Sequence, residues 1–474
     1  NDDEAQLQLV DLYIKTGQRD LAVQGVDALL RDKPGRSLDF RLRALTRLGD
    51  AGETERLDRE IAALLAQGVK SPALMGQAAR RARQQDRPAQ ALAWYRAGFA
   101  PAGNEVQTTA NSGLLLGQQP LRPVPAESAQ QEGLHEDYAE LLDARSVKIW
   151  QGLDLTYRSA DNGTPGQSQM TMWQAPLLVE LPAPRAGKYF LRADAVSING
   201  GSLDNSLGND YALQRFGSVA ACAAQSGSSV QSCAGQYGAQ TAQGAALGLG
   251  YENEHWRVDA GVTPQSFPVS NLIGGVRYSD SVSILNYKLE AARRPVTSSL
   301  LSYAGVRDPY TGQTWGGVVA TGVGGSLGYD KGGRFGVWSN FAYQQLTGEN
   351  VADNRKLTAM GGVYWRLLKE PTRQVTVGVN SINFWFQKNL GEFTFGQGGY
   401  YSPQRYNSLS VPLSYAARNE RWSWLGRASV SVSSANEAAS PFYPTRPDLQ
   451  AQAGNPYVSA SSGPGWGVSL SGAF

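Results

Sequence analysis

From Val147 to the carboxy terminus, segment after segment alternates apolar and polar residues in runs of about ten to fifteen, separated by turns. A period of two sends successive side chains to opposite faces, so each run reads as a strand with one apolar and one polar side. In "VKIWQGLDLTYRS", Ile149, Leu153, Leu155 and Tyr157 oppose Trp150, Asp154, Thr156 and Arg158. The same division sets Arg192 and Asp194 apart in "KYFLRADAV", and Arg257 and Asp259 opposite Trp256, Val258 and Ala260. Lys288, Glu290 and Arg294 oppose Leu285, Tyr287 and Leu289; Tyr364 and Arg366 oppose Val363, Trp365 and Leu367. Aromatic residues gather near the ends of the apolar faces.

A water-soluble sandwich also alternates, but its strands run about five or six residues and its aromatics sit mid-core. Strands of ten or more with aromatic ends fit a bilayer-spanning antiparallel barrel. Fifteen segments qualify, one of them over 299–309. Lipid leaves no unpaired backbone, so the sheet must close, and single-chain bacterial barrels close on even numbers. The expectation is a barrel of about sixteen strands with the last strand or two beyond this chain. Its lumen is wide enough for water or an extended polymer.

Composition agrees. The 474 residues include 54 glycines, 21 tyrosines and 11 tryptophans with only 18% charged, and the net charge of +2 offers no field to draw in nucleic acid. No run of 18 apolar residues occurs, which excludes a spanning helix and leaves a barrel untouched.

Residues 1–100 read differently. Apolar residues recur at helical spacing, with turns at Gly17, Gly49 and Asp86 and a stop at Pro34-Gly35. The spacing, with Leu12, Tyr13, Ala22 and Pro34 in place, suggests three tetratricopeptide-like units forming an α-solenoid. The arginines at 41, 43, 47, 80, 81 and 83 read as a solvated helix surface. Residues 101–146 read as a linker ending in a short helix at 133–146, and 147–474 as the barrel.

The chemistry of catalysis is missing. With His135 and His255 the only histidines, a catalytic triad or a multi-histidine metal site has little to work with, and no cofactor is expected. Glu252 and Glu254 sit in "YENEHW", a solvated turn between strands. The glycines of 322–328 have no Walker lysine and precede no helix. Cys222 and Cys233, ten residues apart in a polar stretch, read as a disulfide of an oxidising compartment.

Four segments, "DPYTGQTWGGVVATGVGGSLGYDK" (308–331), "QLTGENVADNRK" (345–356), "GQGGYYSPQRY" (396–406) and "RNERWSWLGRASVS" (418–431), resemble the carboxy-terminal barrel of the bacterial cellulose synthase C-protein family, in which periplasmic tetratricopeptide repeats precede an outer-membrane export porin. The loop at 205–242 has no counterpart in that pattern. The resemblance implies an outer-membrane channel for cellulose, a β-1,4-glucan. It also implies periplasmic repeats meeting the polymer, the inner-membrane synthase or peptidoglycan.

Mixed-sign pairs on the lumenal face (Asp154 with Arg158, Arg192 with Asp194, Arg257 with Asp259, Lys288 with Glu290) suit a neutral, hydroxyl-rich polymer. Many weak contacts let a chain slide where one tight site would trap it. The candidate contacts are these eight with Trp150, Arg294, Tyr364, Arg366 and Tyr406; Tyr400 and Tyr401 fall at the pore mouth. Competing readings are an exporter of another exopolysaccharide such as poly-N-acetylglucosamine, and a structural outer-membrane anchor, which needs only a small or filled barrel.

Overall fold

In the computed structural model the described residues are 2–31, 37–69, 71–85, 87–99, 126–159, 164–183, 187–206, 208–419 and 421–473. They fall into two compact units, Asn1–Ser146 and Val147 onward.

The first unit is helical. Asp2–Lys15 with Arg19–Arg31, Leu38–Asp50 with Thr54–Ala66, and Pro72–Gln84 with Pro88–Phe99 make three consecutive pairs. Ser37 and Ser71 cap two of these helices by accepting the backbone N–H three residues on, and Pro72 occupies the first turn, where a missing N–H costs nothing. Leu7, Val26, Leu45, Leu48, Ile61 and Leu74 share one core. Gly49 lies inside the helix Leu38–Asp50, so the chain reverses just after it; Asp86 lies outside the described residues. The arginine-rich surface is tied down: Arg47 to Asp11, Arg81 to Asp58, Arg80 to Asp137 and Arg83 to Glu140. The segment expected to be a short helix belongs to one of 19 residues, Ala126–Ala144. Its Leu134 fills the space over Gly76 and Gly98, where an added Cβ would come within 2.7 Å.

The second unit is an antiparallel sheet of sixteen strands among the described residues. Lys148–Gln151 and Asp154–Arg158 both pair with Met170–Pro182 as two halves of one broken strand. Lys188–Ser202, Ala239–Glu252, Trp256–Val262, Leu272–Val282, Leu285–Pro295, Thr314–Tyr329, Phe335–Glu349, Asn354–Lys369, Arg373–Phe386, Arg405–Arg418, Ser423–Glu437 and Ser461–Ala473 follow, each hydrogen-bonded to the one before. The strand expected over 299–309 is instead a helix, Leu300–Ala304, and a two-residue strand, Val306–Arg307. Its apolar residues are buried from all sides, Leu300, Leu301, Tyr303 and Ala304 among them, so they mimicked a run of strand without its two faces. No hydrogen bonds join the first and last strands among the described residues.

The connections differ at the two ends. Strands meet through short turns at 253–255, 283–284, 330–334 and 370–372 at the end where Val147 enters, and through long segments at 203–238, 296–313, 387–404 and 438–460 at the other. The long segments fold into a cap. Phe216–Gly217 pairs in parallel with Phe393–Thr394, joining two of them, and Arg215 binds Glu392 nearby, Nε to Oε2 at 2.9 Å. Asp308 ties in a third: its Oδ1 accepts from the Ser218 hydroxyl and the Tyr237 hydroxyl, both at 2.8 Å. Burial, with that carboxylate beside it, pushes the Tyr237 phenol well above 10. Cys222 and Cys233 form a disulfide between the helices Val219–Ser226 and Val230–Gly235.

Phe216, Phe395 and Tyr443 of the cap share a core with Trp315, Met170, Val196, Ile198, Ala320, Leu346 and Phe386 of the wall. Wall residues from strands so far apart can meet in one core only if the sheet curls around them. The cap therefore sits inside the mouth of a barrel.

Candidate functional site in the lumen

The register sorts every wall residue by face. Leu191, Leu249 and Ala260 lie in one row, as do Tyr343, Val323 and Ala291, and Trp466, Val432 and Leu409. Leu249, Tyr343, Val323, Val432 and Trp466 are each about half exposed or more, so the apolar face looks outward. A continuous apolar outer wall of this extent is what lipid would cover.

The polar face looks inward, and several of its charges are paired within the wall. Arg192 Nε donates to Asp194 at 2.8 Å, and Gln174 adds a bond at 3.2 Å. One expected pairing separates, and both its members take new partners. Arg257 binds Glu252 at 2.9 Å rather than Asp259, lying 4.6 Å from the centre of the Phe190 ring. Asp259 is held by Arg294, whose Nη2 donates at 2.7 Å from two strands away. The arm can cross because Gly275 stands between: a Cβ there would fall 2.9 Å from Arg294 Nη2. Cross-strand neighbours lie about 5 Å apart and alternate residues of one strand about 7 Å, so cross-strand partners win unless an arginine reaches along its own strand.

Lys288 shares a row with Ser326 and Asn340, and Glu290 one with Arg277 and Gly324; these two make no ion pair with each other. Trp150 falls on the row of Leu178 and Arg192, and Asp154 on that of Gln174 and Val196, so both carry the inward face. Arg158 also points inward, but its guanidinium binds the Ser168 and Ser298 carbonyls at 2.9 and 3.2 Å, not Asp154. At the turn end Arg366 holds Asp330, Nη1 to Oδ1 at 3.0 Å, and the Tyr364 hydroxyl donates to the same carboxylate. Arg366, with help from Tyr364 and the Gly332 N–H, keeps the Asp330 carboxyl well below the usual carboxylate range. The Tyr364 ring occupies the space over Gly336, where an added Cβ would come within 2.3 Å of it, so it is spent on the wall.

The aromatic surface lies beneath the cap. Phe384 and Tyr406 occupy one row and stack with centroids 4.5 Å apart and planes 14° from parallel; Tyr401, half exposed, stands edge-on to both at 6.4 Å. Lys356 Nζ lies 5.3 Å from the Phe384 centroid and 5.2 Å from that of Phe386. Tyr400 does not line the mouth. It is buried in the cap core, where the Asn354 side-chain amide donates to its hydroxyl at 3.2 Å. Its neighbours Gly396 and Gly399 take φ of 96° and 64°, which lets the chain turn Tyr400 inward.

Phe384, Phe386 and Lys356 are the residues sequence reasoning missed. The signal was present in "NSINFWF", where every second residue from Asn380 is inward and ends on two phenylalanines. Of the titratable residues set aside, Glu252 is engaged by Arg257 and Arg277, and His135 stacks on Phe99 at 4.0 Å. Among the described residues no cluster of three metal-ligating side chains occurs.

The family described as "Cellulose synthase operon protein C C-terminus" matches residues 168–474. Cellulose synthase operon protein C of Escherichia coli (strain K12) is 33% identical over 449 residues, covering 93% of this chain and 37% of that protein. Cellulose synthase 2 operon protein C of Komagataeibacter xylinus is 31% identical over 330 residues, 67% of this chain and 24% of that protein. The chain thus spans well under half the length of the curated relatives it matches. Among solved structures, a bacterial polysaccharide outer membrane secretin aligns at 10% identity over 62% of this chain and 80% of its own, with a TM-score of 0.38.

Proposed function

The chain belongs to the cellulose synthase operon protein C family through the domain that fills residues 168–474, and we infer that its barrel carries β-1,4-glucan across the outer membrane. The observation that supports this most is the lumenal surface: ion pairs satisfied within the wall, hydroxyl and amide side chains between them, and an aromatic shelf. Such a surface presents hydrogen-bonding groups and ring faces with much of its charge paired. Neutral sugar rings, apolar on their C–H faces and ringed with hydroxyls, can pass it through many weak contacts.

The short turns would face the periplasm and the long segments the exterior, as in bacterial outer-membrane barrels. Since the chain enters at the short-turn end, we read the helical pairs as tetratricopeptide-type repeats of the periplasm. There they would meet the nascent polymer, the inner-membrane synthase complex or peptidoglycan. The cap, disulfide included, then lies outside, where an oxidised pair persists. We read the protein as a conduit and not an enzyme, because the carboxylates of Asp194, Asp259 and Asp330 are each held by an arginine.

Deleting residues 147–474 in a cellulose-producing host tests the reading. Extracellular glucan should disappear while glucan in the periplasm persists or is degraded; unchanged cellulose outside the cell would overturn it.

A further inference from the structure

The inward face holds a cation placed differently from the wall arginines. Arg192, Arg257, Arg294 and Arg366 each bind a carboxylate. Lys356 binds none among the described residues; its ammonium instead lies over the faces of Phe384 and Phe386. Its row partners are Phe386 and Gln344, and Thr358 beside it pairs with Phe384. Asp353 is exposed before the strand begins, and Glu437 belongs to the strand on the far side of the Tyr406 strand.

An ammonium over an aromatic face is stabilised without being neutralised, so its charge still acts on whatever rests against the ring. The half-buried Phe384–Tyr406 pair, with half-exposed Tyr401 edge-on to it, is where a sugar ring would rest. A substituent on that sugar would project toward Lys356.

We propose that Phe384, Tyr406 and Tyr401 form a sugar subsite and that Lys356 sets its selectivity by charge, favouring glucan with anionic substituents and rejecting amino-sugar polymers with free ammonium groups. This rests on the export reading and names the polymer class the same lumen admits. An unneutralised charge a few ångströms from the substituent, damped by lumenal water, should separate the classes by about tenfold each way.

The test uses the full chain in detergent at physiological salt, with three hexameric probes titrated by calorimetry: cellohexaose, its carboxymethylated counterpart and the fully deacetylated glucosamine hexamer. The expected order is carboxymethylated tightest, cellohexaose next and glucosamine weakest. Lys356→Gln should collapse the spread, Lys356→Glu should invert it, and Phe384→Ala should weaken all three alike. An unchanged order in Lys356→Glu, or no binding of any probe to the wild type, overturns the proposal. If cellohexaose binds but charge makes no difference, the selectivity falls while export stands. Loss of the export reading would show in the secretion assay and not here.

Discussion

The two ends of the barrel are built on different principles. At the turn end, order comes from neighbours: turns of a few residues, ladders in register, and pairs such as Arg257 with Glu252 across a single turn. At the loop end, order comes from distance: Ala221 N donates to the Tyr443 hydroxyl across 222 residues, and Arg215 meets Glu392 across 177. A wall stabilised by adjacent strands tolerates local damage. A cap assembled from four long segments depends on one shared core, and a change there should be felt by all of them.

Trp315 is where that contrast breaks most visibly. It is fully buried, with Phe216, Tyr237 and Phe395 packed around it at centroid distances of 5.9, 6.5 and 5.5 Å. Trp315→Ala should cost the cap about 3–5 kcal/mol. In planar bilayers the variant should conduct far more than the wild type while the barrel keeps its heat-modifiable migration on gels. Unchanged conductance would mean that the cap does not stopper the lumen.

The disulfide should matter less, because it joins two short helices of the same segment. Cys222→Ser with Cys233→Ser should destabilise that segment by about 2–3 kcal/mol. The expected readout is faster external proteolysis within 203–238, with conductance raised less than by Trp315→Ala. Equal effects would show that the staple, and not the shared core, holds the cap.

The same division explains what the sequence could tell. The wall was legible because lipid and lumen impose opposite chemistry on alternate residues, and Leu247, Leu249, Val430 and Val432 report it directly. The inward faces of Arg192, Asp259 and Lys288 followed from parity alone. Their partners did not, since Arg294 reaches Asp259 only over Gly275, and a bare Cα on an intervening strand leaves no mark in the sequence of either partner. The cap was illegible for a stronger reason. Its residues are buried without period, so Leu300-Leu301 imitated a strand and Tyr400 a pore-lining residue, while the contacts that bury them lie about a hundred residues away, as with Ser299 Oγ donating to the Gly399 carbonyl.

The smallest expected effect is one of pH, and it should again fall on the cap. Burial pushes the Tyr303 phenol up to about 12, and burial likewise raises Tyr237, Tyr400 and Tyr443. A phenol whose folded pKa lies above its unfolded value of about 10 contributes stability fully below that value and loses it as pH climbs toward the folded pKa. The cap should therefore hold unchanged through neutral pH and loosen between about 10 and 12, with tyrosinate absorbance rising as conductance rises. Asp330 at the turn end shifts the opposite way, held low by Arg366, so its contribution is present above about 4 and is lost only in acid. Alkali should thus open the loop end before it disturbs the turn end. Simultaneous loss of the cap and of heat-modifiable migration as pH rises would show instead that the two ends unfold as one unit.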